Sequence, residues 1–384
     1  MADGKNCHDC TPYKPDHIQN WITELVETLV HPPFEFLFPK TTYRFDKTID
    51  DVLIKLGLFS LEKNFNIDGI YPATAAFIKT AQRAGLEFQP IKSFARYTGY
   101  FRMKIGNKFF DFEKLPRAEN SAANKLAHKV DDKWIVKQIL QRNGLPVAPG
   151  KSFWWFQKNK ALKWARSFGY PLIVKPRRGS LSKHVYYDIK NENDLVSALN
   201  GVIRYSPVFL IERFLPNLTL YRITAVDCDK FFVAKRSPPK VIGDGSNTVK
   251  NLMEKSGISE DKANALMLKR QNLTFDSVTE KGKVVWLHEK IILALGAEFE
   301  EEKCGIHDDN FAVFKKIADI FGNKLIGIDF LCEDIDKSWK NQKCAILELN
   351  SLPNIRMHTF EEEDGSQRNK VAEALVGLVL KYYN

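Results

Sequence analysis

A chain of 384 residues, 44% hydrophobic and 27% charged, can hold two or three domains and bury a large core, which excludes a disordered or fibrous protein. Its formal net charge of +10 favours anionic partners such as a nucleotide or acidic metabolite, but lysine and arginine are spread along the chain without a recognisable nucleic-acid module, so nucleic acid is not an expected partner. No apolar run approaches a membrane span and Met1-Ala2-Asp3-Gly4-Lys5 lacks the apolar stretch of a signal peptide, so no membrane partner is expected and the cytoplasm is the expected location.

In chain order, Cys7-His8-Asp9-Cys10 has the spacing of half a zinc or redox site; no second CxxC follows, and a frayed terminus is the expected outcome. The other cysteines, Cys228, Cys304, Cys332 and Cys344, stand singly, as suits a reduced compartment. Residues 16–30 read as an amphipathic helix with Asp16 as N-cap and Ile18, Trp21, Ile22, Leu25, Val26 and Leu29 on one stripe, Trp21 serving core or interface. The aromatic-rich stretch to about 118, broken at His31-Pro32-Pro33 and Tyr97-Thr98-Gly99-Tyr100, completes a small α/β N-terminal domain over 1–119.

Asp131-Asp132 would cap a helix through Trp134, Ile135, Ile139 and Leu140 that Gly144 and Pro146 end. A short helix over 161–168 leads to a strand over 171–175, and a helix over 194–203 leads to a strand over 208–212. This alternation predicts an α/β or α+β architecture. A strand and tight turn over 241–245 precede a helix over 248–255. Asp308 would cap a last core helix carrying Phe311, Phe314, Ile317 and Phe321, closed by Gly322.

Two strands follow, 325–330 with Asp329 near its end and 345–350 ending in Glu348-Leu349-Asn350. Side chains alternate along a strand, so Glu348 and Asn350 share one face and Leu347 and Leu349 the other. With Asp329 they would make an oxygen-donor trio suited to a hard divalent ion carrying nucleotide phosphates. Two buried strands that simply end in polar residues would produce the same pattern.

The order of motifs adds to this. Asp132-Lys133 with Lys137, Gly144-Leu145-Pro146-Val147-Ala148-Pro149, Val174-Lys175-Pro176, Ile211-Glu212-Arg213-Phe214-Leu215, Gly327-Ile328-Asp329 and Glu348-Leu349-Asn350 together resemble the ATP-grasp fold. Arg236-Ser237-Pro238, residues 241–245, 273–278 and 350–358 resemble more narrowly the ATP-grasp module of cyanophycin synthetase and related amino-acid ligases. The resemblance covers roughly residues 120–360 and implies an N-terminal part with the first ATP-binding lobe over 120–215 and a lobe with the metal site over 216–384.

It also implies an ATP- and Mg2+-dependent carboxylate-amine ligase, with Mn2+ able to replace Mg2+, acting through an acyl phosphate on amino-acid or other small carboxylate and amine substrates. Asp329, Glu348 and Asn350 would bind the metal. Lys137 and Lys175 would contact phosphate, with Ser180 and Lys183 donating from the covering loop. Glu212, Arg213, Phe214 and Leu215 would form the adenine hinge, and Arg222, Arg236 and Arg356 would face phosphate or substrate. The N-terminal domain would help bind the carboxylate or form a homodimer.

Three segments depart from the family pattern. The loop after Lys175-Pro176 keeps a single glycine in 176–184 where relatives are glycine-rich, and the acid expected near 219–220 is replaced by Thr219 and Leu220. An apolar run, Ile291–Leu295, stands in place of a polar substrate loop, where His288 or Lys290 would supply the cation; taken by itself the run reads as an ordinary buried strand or helix turn. The alternative function is an ATP-binding regulatory ATP-grasp protein of weak catalytic power.

Overall fold

The computed structural model describes residues 7, 10, 16–29, 46–93, 96–116, 126, 129–179, 181–291, 295–302, 305–362 and 365–383. Ser180, Cys304 and residues 292–294 of the apolar run therefore lie outside the described residues. The chain forms two compact units, one of residues 1–25, 149–220 and 235–300, the other of residues 26–148, 221–234 and 301–384. Among the described residues no helix is long and apolar enough to cross a membrane.

In the first unit the strands Gly150–Trp154, Val208–Arg213, Leu172–Pro176 and Tyr186–Ile189 form an antiparallel sheet in that order. The helices Lys158–Phe168 and Glu192–Tyr205 supply Ala161, Ala165, Leu195 and Leu199 to a core with Phe153, Val174, Phe209 and Ile211 from the sheet. A smaller core holds Val241, Val249, Met253, Leu268, Val285 and Leu287, around the strand pair Lys240–Ile242 and Val284–Trp286. Thr248 caps the helix Val249–Lys255 by accepting from the Asn251 amide.

The second unit has two cores. In one, the antiparallel sheet of Phe59–Leu61, Glu87–Ser93, Arg96–Ile105 and Lys108–Glu113 shares its apolar face with the helices Pro72–Arg83 and Lys370–Tyr383, Phe77 and Leu375 lying among the buried residues. In the other, the strands Lys230–Ser237, Thr219–Val226, Leu325–Cys332 and Cys344–Asn350 lie side by side in that order and pack on the helices Lys133–Arg142 and Asp308–Phe321. The named strands of both units pair antiparallel wherever register is defined, an α+β arrangement.

Local caps appear where spacing predicts them. The Asp132 carboxylate accepts from the amides of Trp134 and Ile135, each at 3.1 Å, and Asp16 accepts from Ile18 and Gln19 at 2.9 and 3.0 Å. Three expectations fail. His307, not Asp308, caps the helix Asp308–Phe321, because the His307 Nδ1 accepts from the Asp309 amide and Asp308 is already helical. Phe311 is exposed while Phe314, Ile317 and Phe321 are buried. That helix is also not the last core helix, since Lys370–Tyr383 buries Val371, Leu375 and Val379.

The helix His17–Leu29 corrects the reading of its faces. Ile18, Ile22, Val26 and Leu29 are exposed, whereas His17 and Glu24 are buried. Hydrophobic periodicity identifies the helix, but polar contacts of His17 and Glu24 decide which side turns inward: His17 Nε2 lies 3.2 Å from the Cys10 sulfur and Glu24 accepts from the Arg178 amide at 3.2 Å. Trp21 packs edge-on against Trp155 with ring centroids 5.2 Å apart.

Candidate active site

In the second unit, the strands Leu325–Cys332 and Cys344–Asn350 pair with Asp329 opposite Glu348 and Gly327 opposite Asn350. Residues directly opposite share a face, as do residues two apart, so Asp329, Glu348 and Asn350 stand together on one side of the sheet. A register irregularity follows Asp329, where Phe330 pairs with Ile346; such bulges re-aim side chains and recur beside functional sites. Gly327 completes the patch by having no side chain. A Cβ there would meet the Arg222 Nη1 at 2.5 Å and the Pro353 Cβ at 2.9 Å.

Cations attend both carboxylates. The buried Arg222, from Thr219–Val226, places Nε 2.8 Å from the Asp329 Oδ1, and Lys133, at the start of its helix, places Nζ 3.5 Å from the Glu348 Oε2. Asp131 fixes the turn after Asn350, accepting from the Ser351 amide at 3.0 Å and from its hydroxyl at 2.6 Å. Among the described residues, the buried Asn350 amide nitrogen has no hydrogen-bond partner. Two carboxylates and a side-chain carboxamide on one face form a hard, oxygen-rich donor set, and these residues fit a divalent cation such as Mg2+.

Lys137 is buried on the same helix as Lys133 and donates to the Ala148 carbonyl. Arg356 is exposed in the short helix Ile355–His358. His358, at the end of the 350–358 motif, is buried with Nε2 2.8 Å from the Thr224 hydroxyl and lines a cavity of about 160 Å³ with Phe231, Phe232 and Phe360. Burial, reinforced by the Arg222 charge, pushes its imidazole down to about 3.

The sign follows from linkage: the unfolded chain takes up a proton near pH 6.5 that the folded chain refuses, so folding is weakened as pH falls below 6.5 toward 3. At pH 5 the loss attributable to His358 is about 2 kcal/mol. Urea midpoints at pH 7 and 5 check this, the wild type losing more stability across the interval than His358→Gln; equal losses would remove the buried imidazole as the cause.

In the first unit, Lys175 and Glu212 come from adjacent strands and meet with Nζ 2.8 Å from Oε2, both buried. The residues after Glu212 are engaged by backbone carbonyls of the same unit. The Arg213 amide donates to the Pro149 carbonyl at 2.8 Å and the Phe214 amide to the Pro171 carbonyl at 3.1 Å. The Arg213 guanidinium donates to the Phe168 carbonyl at 2.6 Å and lies over the Phe168 ring at 4.5 Å. Phe214 and Leu215 are half-buried.

Lys183 is half-buried in the loop after Pro176, and burial pushes its ammonium below the usual lysine value. Arg236 donates to the Ile291 carbonyl at 3.2 Å and lies 5.7 Å from the centre of the Phe299 ring. His288 accepts from the Lys290 amide at 2.8 Å through Nδ1. The structure thus gathers Arg222, Asp329, Glu348 and Asn350 in the second unit, and Lys175 with Glu212 in the first. Sequence does not show the partnerships of Lys133 with Glu348 and of Asp131 with Ser351: there Asp131-Asp132 marks a helix start and Asp132-Lys133 with Lys137 belongs to the motifs of the ATP-grasp resemblance.

The class of fold is that of the ATP-grasp enzymes. A bifunctional glutathione synthetase from Pasteurella multocida superposes with a TM-score of 0.58 and 19% identity, over 82% of this chain and 44% of that one. By sequence the chain is similar to cyanophycin synthetase from Crocosphaera subtropica, 28% identical over 261 residues, which are 64% of this chain and 30% of that protein. It is also similar to a glutathione biosynthesis bifunctional protein from Clostridium perfringens, 23% identical over 338 residues, 83% of this chain and 42% of that protein. The chain therefore spans less than half the length of these relatives. No protein-family model matches it.

Proposed function

We infer that the chain is an ADP-forming carboxylate-amine ligase that joins a small carboxylate, an amino acid or peptide, to an amine. The observation that carries this reading is the cross-strand register that sets Asp329 opposite Glu348 with Asn350 on the same face. Asp329, Glu348 and Asn350 are proposed to hold Mg2+, or Mn2+ in its place; the ion would supply neutralisation of triphosphate charge. A carboxylate oxygen of the substrate attacks the terminal phosphorus of ATP, ADP departs, and the amine then displaces phosphate from the acyl phosphate and loses a proton. ATP, the substrate carboxylate, the acyl phosphate and the departing ADP and phosphate are all anionic, so positioned cations are the main requirement.

Lys137, Lys175, Lys183 and Ser180 are proposed to serve phosphate, Glu212 and the backbone to Leu215 the adenine, and Arg222, Arg236, Arg356 and His288 the acyl phosphate and its acceptor. Residues 1–119 are assigned to carboxylate binding or homodimer contact, 120–215 to the first ATP-binding lobe and 216–384 to the metal lobe. Lys137 and Lys175 each have a protein oxygen at hand, the Ala148 carbonyl and the Glu212 carboxylate, which would hold them in place before nucleotide arrives.

The test is incubation with ATP, Mg2+ and pooled amino acids, with ADP assayed and products identified by mass spectrometry. Substrate-dependent ADP with a new amide supports the ligase. Stabilisation by Mg-ATP without turnover for any acceptor points to the regulatory ATP-binding alternative, and failure to bind Mg-ATP removes both.

A further inference from the structure

Four metal-ligating side chains converge in the first unit, away in sequence from every residue assigned above to metal. Cys7, Cys10, His17 and His184 present sulfur and ring-nitrogen atoms that all lie within 4.8 Å of one another. Cys10 Sγ is 3.2 Å from the His17 Nε2 and 3.3 Å from the His184 Nε2, and Cys7 Sγ is 3.5 Å from the His184 Nε2. A tetrahedral ion with zinc–sulfur bonds near 2.3 Å and zinc–nitrogen bonds near 2.0–2.1 Å holds sulfur and nitrogen about 3.5 Å apart. The donors already stand close to that spacing.

We propose that Cys7, Cys10, His17 and His184 form a structural zinc site that ties the N-terminal segment to the loop following Lys175-Pro176.

The surroundings are those of a closed site. Cys10 is 0%, His184 2% and His17 5% exposed and Cys7 is half-buried, and four protein donors fill the tetrahedral positions of a structural site. Two thiolates and two neutral imidazoles balance the charge of a divalent ion, which removes the cost of burying it. His184 Nδ1 lies 3.1 Å from the Tyr186 hydroxyl. With the ring proton on Nδ1 and donated to Tyr186, the Nε2 lone pair faces the sulfurs, the outer hydrogen bond that usually orients a ligating histidine. Tyr205 stacks on the His184 ring at 4.6 Å, and His17 meets it edge-on at 5.0 Å.

The backbone carries a second signature. Leu181, Ser182 and His184 have φ of 62°, 52° and 50°, a left-handed conformation unusual for side-chain-bearing residues and kept only where other contacts over-determine it. Coordination of His184 supplies such a contact. It also gives the sparse glycine content of 176–184 a purpose: the loop is held by a ligand to metal rather than left free to close.

The experiment takes the full chain, purified without added metal or chelator, and measures zinc by mass spectrometry, then replaces it with Co2+. One zinc per chain is expected, with a thiolate-to-cobalt band in the near ultraviolet and tetrahedral d–d bands in the visible. Cys10→Ser and His184→Asn should lower bound zinc at least tenfold, and Tyr186→Phe should leave it bound but weaken retention against a chelator about 10- to 100-fold. The wild-type cobalt spectrum does not depend on any variant folding. Zinc far below one per chain with no thiolate–cobalt band, or a Cys7–Cys10 disulfide in the intact mass, would overturn the assignment.

Discussion

Replacing Glu348 with glutamine is expected to lower ATP-dependent amide formation at least about a thousandfold, a loss of about 4 kcal/mol of transition-state stabilisation. The change keeps the side chain's size and a hydrogen-bonding oxygen toward Lys133, whose Nζ is 3.5 Å away, but removes the charge opposite Asp329. A hard cation between Asp329 and Glu348 would lose one of its two carboxylates, and the developing charge on the transferred phosphoryl group would go under-neutralised. Stability should hold, because Glu348 is partly exposed and its ion pair is of the kind that contributes about 0–1 kcal/mol. The readouts are ADP release with the substrates found by screening and the thermal shift produced by Mg-ATP. Retention of more than about a tenth of the turnover would place the metal elsewhere.

The second large effect concerns Lys175 and Glu212, whose side chains are 7% and 2% exposed and whose charged atoms are 2.8 Å apart. Lys175→Met leaves a buried carboxylate without this partner and is expected to cost about 3–5 kcal/mol of stability, read as a lowered urea midpoint. Replacing both, Lys175→Met with Glu212→Leu, removes the pair together and should restore most of that loss, since buried ion pairs contribute little net stability over apolar residues of similar size. The double variant should nonetheless lose its thermal shift with Mg-ATP. That split separates structural compensation by the pair, which apolar residues can imitate, from its proposed recognition of nucleotide, which they cannot. A double variant that still responds to Mg-ATP would assign phosphate and adenine contacts to other residues.

Much of the local structure was legible because its causes are local. Asp132 and Asp16 cap helices through amides two and three residues ahead, and Gly322 ends its helix at φ 67°, so each boundary is written within a few residues. The strands bearing Lys175, Glu212, Asp329 and Glu348 were visible as short apolar runs, and their order along the chain carried the resemblance to ATP-grasp ligases. His307 in place of Asp308 as the cap shows the limit of this reasoning, since adjacent residues can each accept an amide two or three positions ahead, and here His307 takes that of Asp309. The inward turn of His17 and Glu24 shows another: periodicity detects two faces, and only their partners choose between them.

The sequence by itself determined which residue types were present to hold a cation, and through strand alternation that Glu348 and Asn350 share a face. Tertiary structure alone decided the pairings: Asp329 with Glu348 by strand register, Arg222 with Asp329 from a neighbouring strand, and Lys175 with Glu212 across the other sheet. It also brought Cys7 and Cys10 beside His17 and His184, the latter 174 residues beyond Cys10. The physical reason is common to all of these. Side-chain chemistry and helix caps act over a turn or two of chain, whereas ion pairs and coordination depend on distances that only the packing of sheets and helices sets.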